Sequence, residues 1–463
     1  MIRGKRAWLG AVTMTLFGQA CGSAPSDPVS GVAGSGGSGS AIAGSGNGGS
    51  AAGGTSSTAG SPASGGSAAM GGQAVGGGAS GQAGAASGSS GVGGSAAGSG
   101  GSNGNGGAGT AGSGGYGTNE DGPCAVPSFI ASDPKPVGWA SSGSGTTGGG
   151  SAKPVLVTTL AQLKEAVKDD VPKVIYVQGD FAPDDIDVGS NKTVIGCSSG
   201  ARLQGHLAIG KESANLIFRN LKISGYGAGD CKKDPGFDAS VGCSSGADAI
   251  SVNGDAHHVW FDHCSIMDGT DGNLDITNEA DFVTVSWTKF SYTPRTDEVG
   301  DDSTGAAGHR FSNLVGGSDT APKGWPGTRP LNVTWHHNWW ADGVVERQPR
   351  VRYGRNHLFN NYYSSKASSS CVRAGIEASV LLEANYFEGV TRPHEFNNEG
   401  KADSDAATAY IAVGTDAKVN QYVSTTGTKT TGGQGEGFTP SYAYSLDAAS
   451  AVPAAVKAGA GTH

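Results

Sequence analysis

His258-Val-Trp-Phe-Asp-His-Cys-Ser-Ile266 and Phe282-Val-Thr-Val-Ser-Trp287 are two copies of one kind of segment, and reading them as repeats decides the fold. Each is short and rich in β-branched and aromatic residues, with large apolar side chains alternating as a half-buried strand requires. The same kind of segment stands on either side: Asn215-Leu-Ile-Phe-Arg-Asn-Leu-Lys-Ile223, Asn332-Val-Thr-Trp-His-His-Asn338, Asn356-His-Leu-Phe-Asn-Asn-Tyr362 and Val380-Leu-Leu-Glu-Ala-Asn-Tyr386. Val259 and Val283 are 24 positions apart, and Val333 and Leu358 are 25 apart. Between 283 and 333 lie 50 positions, with His309–Val315 (HRFSNLV) supplying the missing turn. A strand repeat of this period without intervening helices marks a solenoid. Asn220, Asn338, Asn361 and Asn385 recur at segment ends, where stacked amides can form a hydrogen-bonded ladder. The expected architecture is all-β, a right-handed single-stranded parallel β-helix. A two-sheet sandwich would need a tight Asn-Gly hairpin between each pair of segments, and Asn253-Gly254 is the one such pair between them.

Upstream, Leu160, Leu163 and Val167 lie at helical spacing after Thr159, a suitable N-cap. This predicts an N-terminal helix over 159–170 that caps the otherwise exposed first rung. Lys173–Gln178 (KVIYVQ) reads as a strand. Order is expected to begin near Cys124, giving a β-helix domain over 120–463. From Pro28 to Asn119 no residue is charged and nearly all are Gly, Ser or Ala. Such a stretch cannot bury enough apolar area to offset the loss of chain entropy. Residues 21–119 are therefore expected to be a disordered linker with a root-mean-square span of roughly 50 Å. Residues 1–20 have a basic start (Arg3, Lys5, Arg6), an apolar run from Ala7 to Phe17 and a small-residue cleavage site, which is a signal peptide. Cys21 directly after it resembles a bacterial lipoprotein signal, though Gly18 stands where leucine is usual. Plain secretion would cleave at the same place. The expected location is secreted or cell-surface, with outer-membrane attachment through a lipidated Cys21.

The net charge of −9 argues against nucleic acid as a partner. The balance reverses locally: His309 to Arg373 holds nine Lys and Arg against Asp319, Asp342 and Glu346, a net of +6 suited to a polyanion. There are seven cysteines and no CxxC pair, which weakens a zinc reading. Apart from Cys21, six remain, enough for three disulfides in an exported domain, with Cys231–Cys243 the pair expected to close.

Two further stretches carry chemistry. Glu346-Arg347-Gln348-Pro349-Arg350-Val351-Arg352-Tyr353-Gly354 reads as an extended strand, with Arg350 and Arg352 on one face. Planar guanidinium forks suit carboxylates, here those of an acidic polysaccharide. Asp271-Gly-Asn-Leu-Asp275 places two carboxylates four apart, and Asp248 offers a third at the start of another strand. Three carboxylates from adjacent turns suit a hard cation with oxygen ligands, calcium rather than zinc.

These motifs resemble those of the calcium-dependent pectate lyases with a parallel β-helix fold. Val259-Trp-Phe-Asp-His263 is similar to the family's V-W-[IV]-D-H, and Asp271–Ile276 to its D-G-x-x-D-I. Thr334-Trp-His-His-Asn338 resembles T-x-H-H-N, and Arg347-Gln-Pro-Arg-Val-Arg352 resembles R-x-P-x-x-R. The resemblance implies Ca²⁺ held by Asp248, Asp271 and Asp275, with Arg347 as the catalytic base and Arg352 binding a substrate carboxylate. Asp262, His263, His336 and His337 would be structural. One position departs: the family's Lys falls at Phe311, and Arg310 beside it, or else Lys323 or Lys289, would have to supply the missing cation. The implied activity is β-elimination on polygalacturonate, giving 4,5-unsaturated oligogalacturonates, by a monomer. Competing readings are a metal-free pectin lyase on esterified polymer, a non-catalytic surface galacturonan-binding protein and an inverting polygalacturonase. The acidic loop Asp297–Asp302 is expected to be solvated rather than a further ion site.

Overall fold

Alternation along each segment sends one set of apolar side chains inward, and a bend after every few residues closes the chain on itself. A computed structural model of the chain describes residues 122–131, 135–228, 230–294, 309–397 and 408–463. The signal peptide, Cys21, the linker over 21–119 and the loop Asp297–Asp302 lie outside the described residues. The described strands pair in parallel, each with its counterpart one turn on, so the coil has three walls. The first wall runs through His257–Asp262, Asp281–Ser286, Val333–His336, Arg355–Phe359 and Ser379–Glu383. The second runs through Ser265–Met267, Lys289–Ser291, Trp339–Trp340, Tyr362–Tyr363 and Tyr386–Glu388. The third consists of Ile250–Val252, Gly272–Ile276, Phe311–Val315, Arg350–Val351, Val372–Ala374 and His394–Phe396. This is the parallel β-helix expected from the repeats.

The structure corrects three details of that expectation. Several segments read as one strand are two, on different walls, joined by a bend in which one residue has left-handed backbone: Asn220, His263, Trp287, His337, Asn360 and Ala384 all have φ between 47° and 55°. Asn220 therefore sits in the bend rather than in the ladder. The ladder instead joins Asn338, Asn361, Asn385 and Asn420, where the backbone N–H of each of the first three donates to the side-chain oxygen one turn on at 2.8–3.0 Å. Next, Val283 pairs directly with Val333, so Phe311–Val315 is not an extra turn but the third-wall strand of a single turn carrying a long insert. Finally, Leu358 pairs with Trp335, two positions along from Val333.

Inside, like residues stack along columns. Trp340, Tyr363, Phe387 and Tyr422 form one such column, with ring centroids 4.6, 4.2 and 5.3 Å apart. The helix Leu160–Val167 closes the N-terminal end, with Leu163 and Val167 in the core and Thr159 and Gln162 in a reciprocal capping box. It stops three residues short of the expected Asp170. Disulfides join Cys124 to Cys197 and, as expected, Cys231 to Cys243. Cys264 and Cys371 are free and buried, leading into second-wall and third-wall strands, so the described cysteines form two disulfides rather than three.

The C-terminal segment lies across the first wall. Asp447 exchanges backbone hydrogen bonds with the Asn360 side chain, and His337 contacts its carboxylate at 3.2 Å. Tyr444 donates to the buried Glu383 at 2.6 Å, which also accepts from His357 and Lys418. Burial alone would raise the Glu383 carboxyl, but hydrogen bonds from His357, Tyr444 and Lys418 outweigh it and hold the group at about 2. A carboxyl depressed on folding stabilises fully above its ordinary value, and that stabilisation is lost as pH falls towards the folded value. Denaturant unfolding of wild type and Glu383→Gln is expected to show a gap at pH 7 that closes between about pH 4.5 and 2. A gap independent of pH would contradict this account of the cover.

Candidate active site

The third wall is where sequence-distant charges meet. Ile250, Val252, Leu274, Ile276, Val315 and Val351 point into the core. The alternate positions must then face out, and register lines up Ser251, Asp275, Leu314, Arg350, Arg373 and Glu395 in one row across successive turns. Asp248 and Asp271 stand just before the first two of these strands. The structure brings Asp248, Asp271 and Asp275 together, with one carboxylate oxygen from each within 4.8 Å of the others.

Each carboxylate is only partly satisfied. Asp248 accepts from the Ser251 hydroxyl through Oδ2 at 2.9 Å, while its buried Oδ1 has no hydrogen-bond partner among the described residues. Asp275 accepts the Leu314 N–H at 3.1 Å, and Asp271 is 2.6 Å from His309 Nε2. Gly272 leaves room between them: a Cβ there would lie 2.9 Å from both Asp248 Oδ1 and Asp275 Oδ1. Burial, together with the negative charge of Asp275 and Asp271, pushes Asp248 well above the carboxylate range. Burial also raises Asp275, with Arg347 opposing and Asp271 adding to the rise. Asp271 feels the same burial, but the His309 hydrogen bond and the charges of His309 and Arg347 overcome it and leave the group lowered. Crowded carboxylates, an orphaned buried oxygen and a glycine cradle suit a hard, oxygen-seeking cation.

The guanidinium groups come from two turns beyond Asp271 and Asp275, with Phe311–Val315 on the turn between. The sequence reading of 346–354 as one strand fails: only Arg350–Val351 is strand, and Arg347 has left-handed backbone at φ 56°. Arg347 is half-buried, and its guanidinium lies over the Phe311 ring, 4.6 Å from the centroid. Arg350 and Arg352 flank the core residue Val351 and are both 7% exposed, in keeping with a shared face. Arg352 donates through Nε to Asp319 at 2.9 Å and through Nη1 to the Gly316 carbonyl at 3.2 Å. Gly316 has φ 80°, and a Cβ there would meet the Arg352 carbonyl oxygen at 2.5 Å, so the turn that presents this carbonyl requires glycine. Arg373 pairs with Glu346 at 3.3 Å and Glu395 at 3.4 Å.

Of the other candidates, Arg310 stands between His309 and Phe311 beside the site, and the lysines lie elsewhere. Arg310 precedes Phe311–Val315, and its carbonyl accepts the Val345 N–H. Lys289 lies over the Trp339 ring on the second wall, and Lys323 is exposed. Asp262, buried on the first wall, accepts from Arg219 and Ser286. His336 is buried, which holds its imidazole well below its ordinary pKa, as a packing residue. Sequence reasoning missed His309, Phe311 and Asp319 as groups that touch the carboxylates and arginines. The one available signal was the non-matching run His309-Arg310-Phe311.

Residues 128–463 match the model of the family described as pectate lyase. The chain belongs to the pectate lyase family. Among the relatives of this chain, a pectate trisaccharide-lyase of Thermotoga maritima is 32% identical over 255 residues, covering 53% of this chain and 60% of that protein. Pectate lyase A of Aspergillus niger is 31% identical over 277 residues, covering 58% of this chain and 74% of that protein. The chain thus spans about three fifths of the length of the Thermotoga relative. A pectate lyase of Bacillus sp. N165, solved with trigalacturonate, superposes with a TM-score of 0.51 at 24% identity, covering 71% of this chain and 98% of that one. That likeness is one of fold.

Gly272→Ala tests the cradle. Calcium titration by calorimetry is expected to show affinity weakened about tenfold or more, as when groups around a metal site are disturbed, with metal-free thermal unfolding little changed. Unaltered affinity would mean that the gap between Asp248 and Asp275 does not hold the cation.

Proposed function

We propose that this protein is a lyase that cleaves de-esterified polygalacturonate by β-elimination, with calcium as cofactor. The observation that carries the proposal is the convergence of Asp248, Asp271 and Asp275 on one wall, with Arg347 and Arg352 on the same wall two turns beyond Asp275, in a chain of the pectate lyase family. A proton leaves C5 of the uronate, the bond from C4 to the glycosidic oxygen breaks, a C4–C5 double bond forms, and the departing oxygen takes a proton from water. The adjacent C6 carboxylate makes that C5 proton very weakly acidic. Calcium, when bound, supplies positive charge that offsets the carboxylate. Arg352, fixed by Asp319 and Gly316, contributes a guanidinium for the same purpose. Arg347 stands at the proton to be removed. Because guanidinium groups hold their proton tightly, Arg347 acts there either by losing it or by orienting a water that accepts the C5 proton. No acid and base pair of carboxylates is needed, unlike in glycoside hydrolysis. Esterified pectin, a neutral polymer, would have no use for three clustered carboxylates. We further propose that residues 1–20 direct export and that 21–119 tether the enzyme at the cell surface through Cys21.

With polygalacturonate and calcium, the protein is expected to release product absorbing near the ultraviolet edge, to lose activity with a chelator and to be inactive on fully esterified pectin. Arg347→Ala is expected to lower kcat about a thousandfold, the scale of a lost proton-transfer group, with the fold intact by circular dichroism. Chelator-insensitive turnover on esterified pectin would overturn the reading in favour of a metal-free lyase. Binding without turnover would leave only a galacturonan-binding protein.

A further inference from the structure

Arg347 is held in an unusual way. Among the described residues its guanidinium has no hydrogen bond and no ion pair, whereas Arg352 is tied through two of its nitrogens. Its contact is with the face of Phe311, 4.6 Å from the ring centroid. That ring is itself fixed. Phe311 pairs with Gly272 in the register of the third wall, and its carbonyl accepts the Tyr292 hydroxyl at 2.6 Å. The His309 ring packs 4.2 Å from it, and the same histidine reaches Asp271 at 2.6 Å. Two side chains, Phe311 and His309, thus connect the arginine to the carboxylate cluster through contacts that consume none of the guanidinium's donors.

An aromatic face attracts a guanidinium and sets its plane, but leaves its N–H groups pointing outward. We propose that Phe311 is the positioning residue of Arg347: the ring orients the guanidinium over the reacting carbon and keeps all of its donors available to substrate or water. This inference rests on the lyase reading above.

The test uses the full-length protein with polygalacturonate and calcium, measuring kcat and KM separately. Phe311→Leu keeps apolar volume and removes the π face, while Phe311→Tyr keeps the ring. Phe311→Leu is expected to lower kcat about tenfold or more, as a displaced catalytic group does, with KM changed less than about threefold. Phe311→Tyr is expected to keep kcat within about threefold of wild type. Phe311→Met, also without a ring, carries the comparison if the leucine variant is unfolded by circular dichroism. A ring-less variant with wild-type kcat, or a tyrosine variant that falls as far as leucine, would overturn the proposal while leaving the lyase reading intact. No turnover by the wild-type protein would overturn both.

Discussion

Three carboxylates in a space where two should already repel each other is the constraint on which this molecule depends. In a parallel coil, residues one turn apart in sequence become neighbours at strand spacing, about 4.8 Å. That geometry lets Asp248, Asp271 and Asp275 converge without any of them being adjacent in the chain. The repulsion is only partly relieved by protein groups: His309 and Arg347 favour the charged form of Asp271, and the Leu314 N–H favours that of Asp275. Among the described residues, Asp248 gains a single hydroxyl donor and keeps an unpartnered oxygen. A site so incompletely neutralised suits the cation we propose, and the arginines two turns beyond Asp275 add positive charge along the same wall.

The walls divide the labour. The first is overlaid by the C-terminal segment, pinned at Asn360, His337 and Glu383, and its polar residues are consumed in that packing. The second contributes the stacked aromatic column. The third carries the carboxylates and guanidiniums, set on or directly beside strands whose alternate residues are locked in the core. Chemistry is thus placed on rigid elements, and the long excursion between 283 and 333 alters one turn without shifting the register of its neighbours.

Much of this could be read from residues alone, for identifiable reasons. Alternation in Phe282–Trp287 and its repeats marked the strands because one face is buried. The asparagine ladder was visible at Asn338, Asn361 and Asn385, but Asn220 misled, because the bend just before the ladder accepts almost any residue. His263, Trp287 and His337 adopt left-handed backbone there with no glycine to announce it. Arg347 was identifiable by its spacing to Pro349 and Arg352, yet its own backbone broke the strand expected around it. The count of positive charge over 309–373 overstated the free field, since Asp319, Glu346 and Glu395 fold against Arg352 and Arg373. Phe311 read as a deficit, a lysine lost. Only the coordinates show what the ring touches.

The central claim is that one cation held by three aspartates and the guanidiniums further along the same wall act on a single uronate carboxylate. A crystal structure of the Arg347→Ala protein with calcium and an oligogalacturonate tests this most directly. The account predicts an anomalous peak among Asp248, Asp271 and Asp275, and a uronate carboxylate spanning from that ion to Arg352. An ion bound elsewhere, or a saccharide lying on another wall, would contradict it.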